Sequence, residues 1–311
     1  MVRNLTILDG KIVETQEPQS PINVYINPNE AERRYLIDTL KLDEHTMMSA
    51  LDPNELARME FEPSHVALIT KRPRRYSAED NFLFKVESFG MFMFSDKLVI
   101  LLTEDIPIFD GRIFHKVNNI QDLLLKVIHR SVFHFEEHVK VISLCSDELE
   151  QGINTSMSNR QLLSMFTLEK SLVFYLDAIS SNGRVIEKLK VNAVRLGLST
   201  NSIEFLDDLS IESAQCFEMA QNYSQVLASL MDARASIISN NLNVMMKNLN
   251  AMVIAIAIPS FFAGVGGMSE FSSLIGANHL KIGYPIFILV MMILAVTTFF
   301  TIKLLERFWK T

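Results

Sequence analysis

The pentapeptide "HFEEH", residues 134–138, satisfies H-x-x-E-H. On a helix this puts His134 and His138 on one face with Glu137 beside them, the pattern of an inverted zinc protease. That chemistry also needs a third ligand and an enclosed cleft, and in a charge-rich helix the same residues read as a solvated face. The remaining histidines, His45, His65, His115, His129 and His279, form no ligand spacing. Cys145 and Cys216 lie far apart without a C-x-x-C partner, which argues against a disulfide framework and a zinc ribbon. With no phosphate-binding glycine loop and no nucleophile elbow, neither an enzyme nor ATP-driven transport is expected, and no cofactor is implied.

A second pattern does its chemistry by position. Ser236, Asn243, Asn250, Ala257 and Gly264 follow a seven-residue step, with Met246 one turn beyond Asn243. They fall near one helical face, since seven residues are almost two turns. Such a face entering a membrane has two readings. Small residues let helices pack closely while asparagines bond between them, or copies of the face surround a water-filled path. Periodicity leaves both open, and the second requires a homo-oligomer because two spans cannot enclose a path alone.

The elements that must carry this face are legible. Residues 251–268 are apolar except for Ser260, and residues 284–302 contain no charged side chain. Each approaches the ~20 residues that cross a hydrocarbon core. Lys247 precedes the first span and Lys303, Arg307 and Lys310 follow the second, while the connector 269–283 carries only Lys281. The positive-inside rule therefore expects both termini in the cytoplasm and the connector outside, in a multi-pass protein of the plasma (inner) membrane. No secretory signal is expected at the N-terminus, which lacks an apolar stretch. A net charge of -7 gives no footprint for nucleic acid.

Residues 1–115 are expected to form a cytoplasmic α/β or α+β domain. Within it "INVYI", "HVALIT", "FLFKV" and "MFMFSDKLVILLTED" read as strand-rich, and Asn29 with Glu32 three residues on suits a helix start. Residues 116–250 are expected to be a helical stalk region, with turns around "SSNG" and "GLST". No glycine or proline occurs from 198 to 258, and Asn201 with Glu204 suits a capped start. A single helix from about residue 201 into the membrane, about 60 residues long, would measure about 90 Å. Residues 251–311 complete the chain as a transmembrane domain: first span 251–268, loop 269–283, second span 284–302 and basic tail 303–311.

The stretch from Ser229 to Ser269, with a second span at the C-terminus, resembles the CorA-type divalent-cation channels and transporters, which include a ZntB-like zinc branch. The residues that carry the resemblance are Ser239, Asn240, Asn243, Met246, Lys247 and Leu249 for S-N-x-x-N-x-x-M-K-x-L, then Pro259, then Ala263, Gly264, Val265, Gly267 and Met268 for A-G-[IV]-x-G-M-N. The resemblance implies a funnel-shaped homopentamer in a lipid bilayer, with an axial pore lined by Asn243, Met246, Asn250, Ala257 and Ser260. It implies Mg2+, or the related Co2+, Ni2+ or Zn2+, as the transported and regulatory ligand. An outer selectivity loop would comprise Gly267, Met268, Ser269 and Glu270, with the glycines turning carbonyls toward the pore mouth. Asp207 and Asp208 would match a regulatory metal position, and Lys303, Arg307 and Lys310 a basic collar.

Two departures matter. The family signature ends in Asn where this chain has Ser269, and the connector's only carboxylate is Glu270. Serine is shorter and offers a different donor and acceptor pattern to a hydrated ion. Two alternatives therefore stand beside a magnesium channel: a zinc transporter of the ZntB type, and a non-conducting or poorly selective membrane scaffold or regulator.

Overall fold

The computed structural model describes residues 1–17, 20–76, 81–151, 159–266 and 280–308. The chain divides into two compact units, Met1–Met231 and Asp232–Thr311.

The first unit is built on a seven-stranded sheet in the order β2-β1-β3-β7-β6-β5-β4. Its strands are β1 (Val2–Leu8), β2 (Lys11–Glu14), β3 (Ile22–Ile26), β4 (Arg58–Phe61), β5 (Val66–Pro73), β6 (Val86–Met93) and β7 (Leu98–Leu102). Only β3 and β7 pair in parallel; the other neighbours are antiparallel. The sheet is therefore mixed. The central strand β7 is apolar without a break because both its faces are covered. Leu98, Ile100 and Leu102 join the core on one face, and Val99 and Leu101 join a second core on the other.

Short helices cover the second face. α1 (Glu30–Arg34) begins in a full capping box, with Asn29 Oδ1 accepting from Glu32 N–H at 2.9 Å and Glu32 Oε2 accepting from Asn29 N–H at 2.9 Å. A π-helical turn, Tyr35–Thr39, follows. α2 (Glu44–Ser49) is capped by Asp43. Its C-cap, Ala50, is buried so closely over β6 that a Cβ on Gly90 would lie 2.6 Å from the Ala50 Cβ, so glycine is what permits the contact. The first face is covered by α3 (Ile120–Gln151) and α4 (Asn159–Val191), which pack on β5 and β6, and the core there extends to Leu206, Leu209, Cys216, Ala220 and Leu227 of α5 (Thr200–Gly266).

Three expectations are corrected. "SSNG" is not a turn but the middle of α4. Ser181 Oγ donates to the Ala178 carbonyl, and buried Asn182 accepts from Lys71 N–H at 2.8 Å while donating to Lys71 C=O at 2.7 Å. Contacts across the core override the local turn propensity. α5 starts at Thr200 with Ser199 Oγ accepting from Ser202 N–H at 3.2 Å, so Ser199 rather than Asn201 caps it. "FLFKV" is extended only from Val86, because Asn81 and Phe82 take positive φ values of 48° and 67°. The turn around "GLST" is present, with Gly197 at φ 67°.

The second unit holds the rest of α5 and α6 (Leu280–Phe308). Both helices are long and apolar enough to cross a membrane by length and composition.

Candidate functional site

Large apolar side chains of these two helices are bare in the single chain: Phe261 is 69% exposed, Ile256 60% and Met292 58%. Surface of this kind and extent belongs against lipid or other protein. Their hydroxyls are satisfied within the helix. Ser260 Oγ donates to the Ile256 carbonyl at 2.8 Å and Thr298 Oγ1 to the Leu294 carbonyl at 2.7 Å, which removes the cost of a free polar group in hydrocarbon. Pro259 sits inside α5, where its missing N–H leaves the carbonyl four residues earlier without its usual donor.

One face of α5 is spoken for. Asn248 Oδ1 accepts from Lys303 Nζ of α6 at 2.7 Å, Ala251 and Ala255 are buried, and Pro259 is half-buried. The spacing of three and four residues places them on a single stripe, which marks the side turned to α6. Asn243, Met246, Asn250, Ala257, Ser260 and Gly264 are all exposed. At 3.6 residues per turn they centre about half a turn from the Asn248, Ala251, Ala255 stripe. The seven-residue polar and small face thus points away from the chain's own second helix and is free for another copy, lipid or water.

α5 stays helical through Gly264 to Gly266, and a Cβ on Gly264 would meet nothing within 4 Å, so neither glycine turns the chain. Gly267, Met268, Ser269 and Glu270 lie outside the described residues, as do His279 and Lys310. Of the basic collar, Lys303 is engaged by Asn248 and lies 5.9 Å over the Phe299 ring, and Arg307 falls in the last turns of α6.

In the first unit, Asp207 is half-buried and its Oδ1 lies 2.7 Å from Lys190 Nζ, while Asp208 is exposed. That contact raises the Lys190 pKa. Among the described residues no group of three or more His, Cys, Asp or Glu side chains is placed to hold a metal ion. The H-x-x-E-H motif is accordingly incomplete there. His134 and His138 do share a face, with ring centroids 4.5 Å apart, but Glu137 is engaged by Arg130 at 3.1 Å and His138 Nδ1 by Tyr175 Oη at 2.7 Å. Burial pushes both imidazoles down to about 4, with Arg130 the next cause for His134 and His134 the next for His138.

Sequence reasoning missed the Asn248, Ala251, Ala255 and Pro259 stripe, although small residues at helical spacing beside a membrane proline were a usable signal. It also missed the arginines that gather around His134: Arg72 and Arg75 come from a distant stretch and leave no local pattern, whereas Arg130, one turn earlier on α3, was a usable signal.

A family model described as CorA-like Mg2+ transporter protein matches residues 24–304. The cobalt/magnesium transport protein CorA of Methanocaldococcus jannaschii is 23% identical over 289 residues, covering 87% of this chain and 88% of that protein. The complete structure of the CorA magnesium transporter from the same organism is similar with a TM-score of 0.75 and 19% identity, covering 98% of this chain and 96% of that one. The ZntB cytoplasmic domain from Vibrio parahaemolyticus is similar with a TM-score of 0.58 and 13% identity, over 77% of this chain and 98% of that one.

Proposed function

The chain belongs to the family of CorA-like Mg2+ transporter proteins, and from that premise we propose that it carries a divalent cation across a membrane through a pore shared by several copies. Mg2+ or Co2+ is the favoured substrate, because the curated relative is a cobalt/magnesium transport protein. The observation that carries the pore is the division of α5 into two faces. The Asn248, Ala251 and Ala255 side is occupied by α6, and the opposite side offers Asn243, Met246, Asn250, Ala257 and Ser260 to an axis. Carboxamides there would bond to the water shell that Mg2+ gives up reluctantly, and Met246 would form an apolar ring suited to gating by dewetting. Five copies in a funnel, with termini in the cytoplasm and residues 267–270 at the outer mouth, complete the reading. Inside-negative potential would favour entry by ~2.3 kcal/mol per charge per 100 mV. Asp207 and Asp208 join a regulatory metal site only if a neighbouring copy supplies further oxygens, since Lys190 holds Asp207 within the chain.

Divalent uptake into proteoliposomes under an inside-negative potential tests this, with magnesium, cobalt, nickel and zinc compared against empty vesicles. Saturable uptake led by magnesium or cobalt is expected. A verified oligomer with no uptake of any of the four would sink it.

Ser269, in place of the expected asparagine, favours one second reading: altered selectivity toward zinc, or lost conduction with a scaffold role. Under that reading Ser269→Asn increases magnesium flux relative to zinc. Unchanged flux and ion order would remove any weight from this position.

A further inference from the structure

The first unit contains a cavity of about 450 Å³ between the end of β5, the segment after β7 and α3, which the transport reading does not use. The volume is that of a small-molecule site. Phe89, Ile106, Ile108 and Val127 supply apolar wall. Arg72, Arg75, Arg130, His134 and His138 line the same space, together with Asp105 and Asp110.

The carboxylates around it are already occupied. Both oxygens of Asp110 accept from Arg130, from Nε and Nη2, each at 2.9 Å, and Asp105 Oδ1 lies 3.7 Å from Arg3 Nη1. Glu87 accepts from Arg72 Nη2 through one oxygen and from Thr103 Oγ1 at 3.0 Å through the other. The donors are not used up. A guanidinium carries five N–H groups, and buried Arg72 gives Glu87 a bond from Nη2 alone. Arg75, exposed at the rim, has no hydrogen-bond or ion-pair partner among the described residues, and neither ring nitrogen of His134 has one. Tyr175 is fully buried, and its hydroxyl lies 2.7 Å from His138 Nδ1, so that contact engages Nδ1 and not Nε2 of the His138 ring.

The charge environment agrees with this count. After burial, the causes that hold the His134 pKa down are Arg130 and Arg72, and both outweigh the opposing pull of Asp110. Arg130 and Arg72 therefore each bear on the imidazole more strongly than Asp110 does. An apolar cleft with surplus guanidinium donors suits an oxyanion attached to an apolar body.

We propose that this cavity binds a small organic oxyanion, its phosphate or carboxylate head held by Arg72 and Arg75 beside His134 and His138, and its apolar body against Phe89, Ile106 and Val127. The site lies entirely in the first unit and stands or falls independently of ion transport.

The test is isothermal calorimetry on the full chain in detergent with phenyl phosphate, benzoate, inorganic phosphate and phenol. Saturable binding of phenyl phosphate or benzoate, one per chain, is expected, and the tighter of the two identifies the head group. Arg75→Gln and His134→Leu should each weaken it by about tenfold or more, and phenol should not bind. Arg75 is exposed, so its variant keeps the fold and decides the matter even if His134→Leu does not fold. The proposal is overturned if neither organic anion saturates by about 10 mM, if affinity is unchanged in Arg75→Gln, or if phenol binds as tightly as phenyl phosphate. Inorganic phosphate binding as tightly as phenyl phosphate would overturn the role of the apolar wall.

Discussion

Asn182 does the work of a missing strand. β4 pairs with β5 only as far as Arg58 against Ile69, so the backbone of Lys71 lies beyond it. The Asn182 amide supplies one acceptor and one donor to that backbone from within α4. Asn182→Ala would leave a buried N–H and C=O unpaired and should cost about 2–4 kcal/mol, read as a lower thermal or denaturant midpoint of the first unit. Asn182→Asp should cost a comparable amount, because a carboxylate cannot donate to the Lys71 carbonyl; a neutral result for both would show that water replaces the amide. The two pocket histidines make a separate prediction about pH. Their folded pKa values, about 4, lie below the usual histidine value, so the unfolded chain binds more protons between these limits and stability rises with pH. Arg72, Arg75, Arg130, Asp110, Glu137 and Tyr175 surround them, and the positive groups reinforce burial. Stability carried by their neutral forms should be complete above about pH 6.5 and fall as pH drops toward 4. The double variant His134→Gln, His138→Gln should flatten that part of the profile, and an unaltered slope would assign it to other groups.

At the scale of elements, the two faces of α5 give opposite predictions from neighbouring positions. Ala255→Leu adds bulk on the stripe that holds Asn248 to Lys303, and overpacking of this kind costs about 1–3 kcal/mol. It should lower the yield of folded, assembled protein. Asn250→Leu leaves that stripe alone and removes a polar group from the exposed face, so the oligomer should persist while divalent flux falls by about tenfold, as loss of one ~1.4 kcal/mol interaction in the path implies. Gel filtration beside flux separates the two, and lost assembly with Asn250→Leu would place that residue in packing rather than in the pore. The sequence made this helix legible because sixty residues without glycine or proline leave little else to form, and β3, β5 and β7 because their apolar runs are long enough to be buried on both sides. The hairpin β1–β2 was missed although Asp9-Gly10, at φ 51° and 75°, is the turn that joins such strands. The false turn at "SSNG" came from reading local propensity where a partner 111 residues away, Lys71, decides. The polar face itself was readable from a seven-residue step, but which side α6 covers depends on Lys303 reaching Asn248, and no spacing rule contains that contact.

At the scale of the whole molecule, α5 leaves apolar and carboxamide surface uncovered, and among the described residues α6 is the one other helix of the second unit. The proposed sharing of one path by several copies would cover both, and the number of copies has a kinetic consequence that mass alone does not reveal. If every chain carried its own path, co-assembly of wild-type chains with Asn250→Leu chains in equal amounts would leave about 55% of the flux, since an altered chain keeps about a tenth. If five chains share one path and a single leucine in the ring lowers its flux as far as five do, only complexes with no altered chain conduct fully. Random mixing then leaves about 13% of the flux. Titrating the proportion of altered chains, with the composition verified by differential tags and the mass measured as a multiple of 35.4 kDa, therefore reads out both the sharing of the path and the number of chains around it. A linear decline would show that each chain conducts alone, and would overturn the axial pore even if divalent uptake itself had been demonstrated.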